Sequence, residues 1–173
     1  NNEDYNYAKF NLDNKNSCYK INGVGLNLPK KHFRKKIINK KEIKKILVIA
    51  AYKKEKGYLE ILKVAEMLKS RKIKIECYGY GDYYKFNSIK IKKKIDNISF
   101  NKFDINLENK IQQYDILLHL SKREGLPVSV MQSLSAGLPV ICYDIRGNTD
   151  LIKDGFNGYF VKSYKDVPIK LYY

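Results

Sequence analysis

The chain has 173 residues, enough for one domain with a real hydrophobic core and too few for two full ones. With 44% hydrophobic and 30% charged residues it is globular, and no apolar run reaches the length of a membrane span or secretory leader, so a fragment of a cytoplasmic protein is expected. The net charge of +16 invites anionic partners, but 30 of the 34 basic residues are Lys, whereas surfaces that read nucleic acid recruit the Arg fork, so no nucleic acid is expected and membrane contact would be peripheral, at an anionic surface.

In chain order, residues 1–20 are polar and read as a tail or linker, and Lys30 to Lys45 (KKHFRKKIINKKEIKK) form a basic connector without a motif. From Lys45 onward short apolar runs alternate with helical patterns, the signature of βαβ units and a parallel sheet. Ile46–Ala50 is continuously apolar, as befits a strand covered on both faces. Gly57–Ser70 places Tyr58, Ile61, Leu62, Ala65 and Leu68 on one helical stripe. A strand follows at Ile73–Tyr78, then a Gly79-Tyr80-Gly81-Asp82 turn, a Lys-rich helix near 83–95 and a strand at Ile98–Phe100. A short helix near 106–113, a strand at Ile116–Leu120, a helix opening at Pro127, a strand at Val140–Tyr143, a helix near Asn148–Lys153 and a strand at Tyr159–Val161 complete the series. Asp154-Gly155 and Asn157-Gly158 supply the turns between the last two. The fold class predicted is α/β, a Rossmann-like doubly wound parallel sheet over residues 21–165, followed by a C-terminal segment, 166–173. Its ligand site would lie beyond the carboxyl ends of the strands.

Several chemistries find no support. Cys18, Cys77 and Cys142 lie far apart without Cys-x-x-Cys spacing, which argues against zinc and a disulfide framework and for reduced packing residues. There is no Asp-x-Asp pair, and Asp104, Glu108 and Asp115 have no spacing of a cation cage, so neither metal nor cofactor is expected. His32 and His119 have no carboxylate or Cys partner at a telling spacing and are read as non-catalytic. Gly79-Tyr80-Gly81 lacks the third glycine of a dinucleotide fingerprint, and the fifteen tyrosines are scattered enough to be core and surface filler.

The most informative stretch is Ser121 to Ile141, SKREGLPVSVMQSLSAGLPVI. Pro127 fits the first turn of a helix, where a missing N–H costs nothing, and the next donors, Val128, Ser129 and Val130, would point out of the helix end as an anion site. Glu124 precedes this helix and Gln132 lies two turns into it, so both could line one crevice. The same residues also fit a helix-dipole complement and an ordinary surface amide. Lys56 precedes Gly57 at the loop-to-helix junction after the first strand, on the side where such folds bind ligands.

This stretch resembles the Glu-x7-Glu segment of family 4 retaining glycosyltransferases of the GT-B fold. Asn22-Gly23-Val24-Gly25, Lys56-Gly57, Gly79-Tyr80-Gly81, Tyr114-Asp115-Ile116, Asp144-Ile145-Arg146-Gly147-Asn148 and Asn157-Gly158-Tyr159 match further family motifs in order, over about Ile21 to Val161. The resemblance implies the donor-binding half of a two-domain enzyme whose N-terminal acceptor domain is absent from this chain, so the fragment should not turn over alone. It implies that Glu124 contacts the transferred sugar, that Lys56 neutralises the diphosphate, and that Gln132 and the backbone at Leu126, Val128 and Ser129 complete the nucleotide-sugar site. The donor would be a UDP-sugar carrying a hexose or N-acetylhexosamine, and the acceptor a lipid-linked oligosaccharide of capsule, exopolysaccharide or O-antigen assembly at the cytoplasmic membrane face. Two departures matter: Gln132 stands where the family has a second acid, and Ala51 where it has an Arg. Alternatives are a non-catalytic module that kept the fold and lost donor affinity and, less favoured, a basic nucleic-acid-binding domain.

Overall fold

The computed structural model describes Asn6 and residues 45–171. The polar tail (apart from Asn6), Cys18, His32, the Asn22–Gly25 motif and nearly all of the basic connector therefore lie outside the described residues.

Six strands form one all-parallel sheet: β1 (Lys45–Ile49), β2 (Lys74–Gly79), β3 (Ile98–Lys102), β4 (Ile116–His119), β5 (Val140–Tyr143) and β6 (Gly158–Val161). Their order is β3-β2-β1-β4-β5-β6, so the winding direction reverses between β1 and β4. Helix α1 (Tyr58–Leu68) follows β1, α2 (Tyr84–Lys92) follows β2, α3 (Val128–Ser135) follows β4, and α4 (Val167–Lys170) closes the described chain.

Strand parity divides the core into two layers. Ile46, Val48, Ile116, Leu118 and Ile141 pack with Tyr58, Ile61, Leu62, Ala65, Leu68, Phe86 and Val167 on the face covered by α1, α2 and α4. Leu47, Leu117, Val140 and Cys142 pack with Leu107, Ile111, Val130 and Leu138 on the other. Both faces are covered, which is why the strands read as uninterrupted apolar runs. Part of the tyrosine content is core: Tyr52 and Tyr58 are buried with ring centroids 4.9 Å apart. The Tyr52 hydroxyl, with one proton to give, lies 2.6 and 2.9 Å from the carbonyl oxygens of Asn101 and Cys77 and accepts from Asn101 N at 3.0 Å, tying the loop after β1 to β2 and β3.

Three expected helices differ. The 106–113 segment forms two short 3₁₀ turns, Leu107–Asn109 and Ile111–Gln113, that bury only Leu107 and Ile111. The 83–95 helix ends at Lys92, and Lys94 turns into the left-handed region at φ 52°. Asn148–Lys153 is a run of turns, and the Asn157 amide takes up backbone groups at its end: Asn157 Nδ2 donates to Leu151 O, and Lys153 N donates to Asn157 Oδ1.

Candidate functional site at the sheet switch point

The loops after β1 and β4 meet where the strand order reverses, the place at which open α/β sheets bind ligands. Glycine brings them into contact. Gly57 has φ +79°, and a Cβ there would lie 2.1 Å from Leu120 O, so only glycine lets the β1–α1 loop press against the end of β4. Lys122 N donates to Glu55 O at 2.9 Å across the same seam, and Lys122 Nζ pairs with Glu60 at 2.7 Å.

This packing places Lys56 Nζ 2.7 Å from Glu124 Oε1, with side-chain exposures of 22% and 13%. His119, the last residue of β4 and 3% exposed, lies on the same carboxylate, its Nε2 3.4 Å from Oε1. That contact is too loose to satisfy the buried Nε2 as a hydrogen bond, and the buried Ser121 Oγ beside it is equally without a well-formed one. Burial alone would raise the Glu124 carboxyl, but the polar contacts from His119, Lys56 and Ser121 outweigh it and hold the group at about 2. Glu124 is therefore a fixed anion at neutral pH. His119, which the sequence leaves without a carboxylate partner at a telling spacing, meets one because the loop after β4 turns back and brings Glu124, five positions later, to the end of the strand. Its place at the carboxyl end of a strand was the signal that could have found it.

At the start of α3, Pro127 sits just outside the helix in extended geometry (φ −74°, ψ 112°) instead of in the first turn. Val130 N and Met131 N both donate to Pro127 O, at 3.1 and 3.2 Å, so Val130 is engaged and does not join the outward-pointing donors. Leu126, Val128 and Ser129 remain at the loop and helix start ahead of that first turn. Gln132 is drawn elsewhere: its Nε2 donates to Glu108 Oε1 at 2.5 Å, on the 3₁₀ turn after β3. The contacts thus join Lys56, Glu124 and His119, while Gln132 faces a carboxylate that the sequence reading had not connected with it. Ala51 is half-buried at the end of β1.

Two cavities flank the cluster along the carboxyl edge of the sheet. One of about 620 Å³ opens beyond β2 and β3, lined by Gly79–Tyr84 with Lys102 and Phe103, and Tyr80 and Phe103 stack there with centroids 4.1 Å apart. Gly79 is required at its floor, since a Cβ would lie 1.9 Å from Ala50 O. The other, of about 290 Å³, lies between the loops after β4 and β5, lined by Lys122, Arg123, Glu124, Ile145 and Arg146. Among the described residues no three His, Cys, Asp or Glu side chains converge as a metal cage, and no helix is long and apolar enough to cross a membrane.

The family model for "Glycosyl transferases group 1" matches residues 29–168, which is most of the chain. The chain belongs to that family. Its curated relatives include the poly(glycerol-phosphate) alpha-glucosyltransferase of Bacillus subtilis, 28% identical over 146 residues, a match covering 80% of this chain and 20% of the relative. Among solved structures, a mutant of S. aureus TarM in complex with fondaparinux, alpha-GlcNAc-glycerol and UDP superposes with a TM-score of 0.72 at 23% identity, over 85% of this chain and 30% of that one. The pneumococcal O-GlcNAc transferase GtfA in complex with UDP and GlcNAc gives 0.66 at 25% identity, over 74% and 28%. This group 1 glycosyltransferase chain spans about a fifth to a third of the length of these proteins, and its six-stranded sheet is the Rossmann-like fold expected.

Proposed function

We propose that this chain is the donor-binding half of a retaining, metal-independent glycosyltransferase. It would move a hexose or N-acetylhexosamine from a UDP-sugar to a growing, lipid-linked bacterial polysaccharide at the cytoplasmic membrane face, with an acceptor domain supplied outside the 21–165 fold. The observation that carries this reading is the Lys56–Glu124 pair, 2.7 Å apart at the switch point of the sheet. One cation and one fixed anion side by side match a ligand that offers a diphosphate next to sugar hydroxyls.

In this reading Lys56 approaches the diphosphate, where charge grows as the sugar C1–O bond breaks and the nucleoside diphosphate leaves with the electron pair. The N–H groups at Leu126, Val128 and Ser129 add the positive end of the α3 dipole. Glu124, already ionised, accepts from the sugar hydroxyls, and Gln132 would have to leave Glu108 to reach the ribose. The stacked Tyr80–Phe103 mouth offers a planar apolar surface to the base. From β3 to β4 is three strand spacings, about 14 Å, over which base, ribose, diphosphate and sugar would be laid out in turn. The UDP in the GtfA complex and the glucosyl transfer in the Bacillus relative's name support a UDP-sugar donor.

Calorimetric titration with UDP, GDP, UDP-glucose and UDP-N-acetylglucosamine tests this. Lys56→Ala should weaken both UDP and UDP-sugar, whereas Glu124→Ala should weaken only the sugar nucleotides. UDP affinity unaltered by Lys56→Ala would favour a module that kept the fold and lost its donor. That second reading draws on Gln132, whose amide is spent on Glu108, and on Ala51.

A further inference from the structure

We propose that Glu108 is the residue that receives the ribose hydroxyls of the donor, with Gln132 holding its carboxylate in place, so that the pair selects a ribonucleotide over one stripped of its 2′ and 3′ hydroxyls. This deepens the donor reading and rests on it.

The first argument is charge. In a chain of 34 basic and 18 acidic residues an exposed carboxylate has cations within easy reach, and Lys110, two positions on, pairs with Asp104 at 2.6 Å. Glu108, exposed on the same stretch, meets no cation among the described residues. The hydrogen bond it accepts comes from a neutral group, Gln132 Nε2, on Oε1 at 2.5 Å. The acid absent at position 132 is thus present one hydrogen bond away, on a residue 24 positions earlier, and its charge is not neutralised.

The second argument is acceptor geometry. An ionised carboxylate accepts about four hydrogen bonds, two at each oxygen. Gln132 takes one of them, at Oε1, which orients the group and leaves Oε2 whole. A vicinal diol offers two O–H donors side by side, and a carboxylate can receive one on each oxygen. Hydrogen bonds to a charged acceptor are about twice as strong as neutral ones, so the pair of hydroxyls gains most from Glu108 itself.

The third argument is position. Leu107, beside Glu108, packs in the same layer as Leu47 and Val130, so the turn after β3 and the helix after β4 meet over the two strands that separate β3 from β4 in the sheet. The Tyr80–Phe103 stack stands beyond β2 and β3, and the Lys56–Glu124 pair beyond β1 and β4. The Gln132–Glu108 bond joins the β3 side to the β4 side, with Gln132 one turn, about 6 Å, into α3. In a nucleotide sugar the ribose separates base from diphosphate, and this bond spans the same interval. Gln132 therefore need not leave Glu108 for the ribose to be held.

Calorimetric titration of the chain with UDP and with 2′,3′-dideoxy-UDP tests this. The parent should prefer UDP by about tenfold or more. Glu108→Gln, at an exposed position where thermal unfolding should match the parent, should bind UDP about tenfold more weakly and dideoxy-UDP no more weakly than the parent does. Gln132→Ala, which frees the carboxylate without removing it, should lower the preference by about threefold. Gln132→Glu combined with Glu108→Gln moves the charge to the other partner and should restore it. UDP binding that Lys56→Ala weakens, but whose preference over dideoxy-UDP is absent in the parent or unchanged in Glu108→Gln, would overturn the proposal and leave the donor reading standing. A swapped pair as blind to the ribose as Glu108→Gln alone would overturn it too. No UDP binding by the parent at millimolar ligand would remove the donor reading and this inference with it.

Discussion

Replacing Lys56 by Met removes the cation that lies 2.7 Å from a carboxylate only 13% exposed. Burial opposes the charge on Glu124, and contacts from His119, Lys56 and Ser121 bring the group to about 2 against 4.5 for a free side chain. That difference corresponds to about 3 kcal/mol in favour of the ionised form, shared among the contacts from His119, Lys56 and Ser121. A fully buried pair broken on one side costs about 3–5 kcal/mol and a surface pair under about 1. Both partners here keep some water, so Lys56→Met should destabilise the fold by about 2 kcal/mol at neutral pH. A double-mutant cycle with Glu124→Gln should give a coupling of about 1–2 kcal/mol in urea unfolding. The pH dependence has a definite sign. The folded carboxyl is depressed, so its contribution is complete above about 4.5 and is lost as pH falls toward about 2. The stability gap between the parent chain and Lys56→Met must therefore narrow on acidification through that window. A coupling near zero, or a gap that widens toward acid, would refute the electrostatic account of this site.

Two further outcomes follow from packing and charge. Gly147→Ala should cost about 2–3 kcal/mol and weaken UDP-sugar more than UDP, because its Cβ would meet Gly125 O at 2.3 Å and push the loop of Glu124 away. Gly155→Ala, at φ +75° with no atom within 4 Å, should cost only the backbone strain of about 1 kcal/mol, and equal unfolding curves for the two variants would remove the loop-contact argument. Gln132→Glu should weaken UDP binding, since the new carboxylate would face Glu108 across a 2.5 Å contact. Adding Glu108→Gln should restore binding by about 1 kcal/mol in calorimetry, and equal affinities for the single and double variants would count against the pairing.

Much of this architecture was legible because its signals are local. Ile46–Val48 and Leu117–Leu118 read as strands because apolar runs covered on both faces need no partner to be recognised. Lys56 and Glu124 stood out through the turn chemistry around them, Lys-Gly and Glu-Gly-Leu-Pro. Part of what escaped depends on contacts between distant segments. The 2.5 Å bond from Gln132 to Glu108 joins residues 24 positions apart; the approach of His119 to Glu124 is local, five positions, but depends on how the loop after β4 turns back rather than on any motif. Asn148–Lys153 failed as a helix for a related reason. Its apolar residues allow helical spacing, but Asn157, beyond its end, holds the Leu151 carbonyl and the Lys153 amide in turns instead.

The Lys56–Glu124 pair has a cost that bears on how a donor would bind. Lys56 and Glu124 satisfy each other, which keeps a half-buried carboxylate charged. On the proposed donor reading, a nucleotide sugar would part them, giving Lys56 a phosphate oxygen and Glu124 a hydroxyl donor. Lys56 exchanges one anion for another and loses little, whereas Glu124 exchanges a cation for a neutral donor and loses a charge-assisted bond. His119 and Ser121 are the groups placed to offset that loss, because each has a buried polar atom that the resting arrangement leaves short of a good hydrogen bond. A carboxylate loosened from Lys56 can move toward them without leaving the sugar. On the proposed donor reading, the polar atoms left wanting beside Glu124 would be the reserve that lets the ion pair open for the donor.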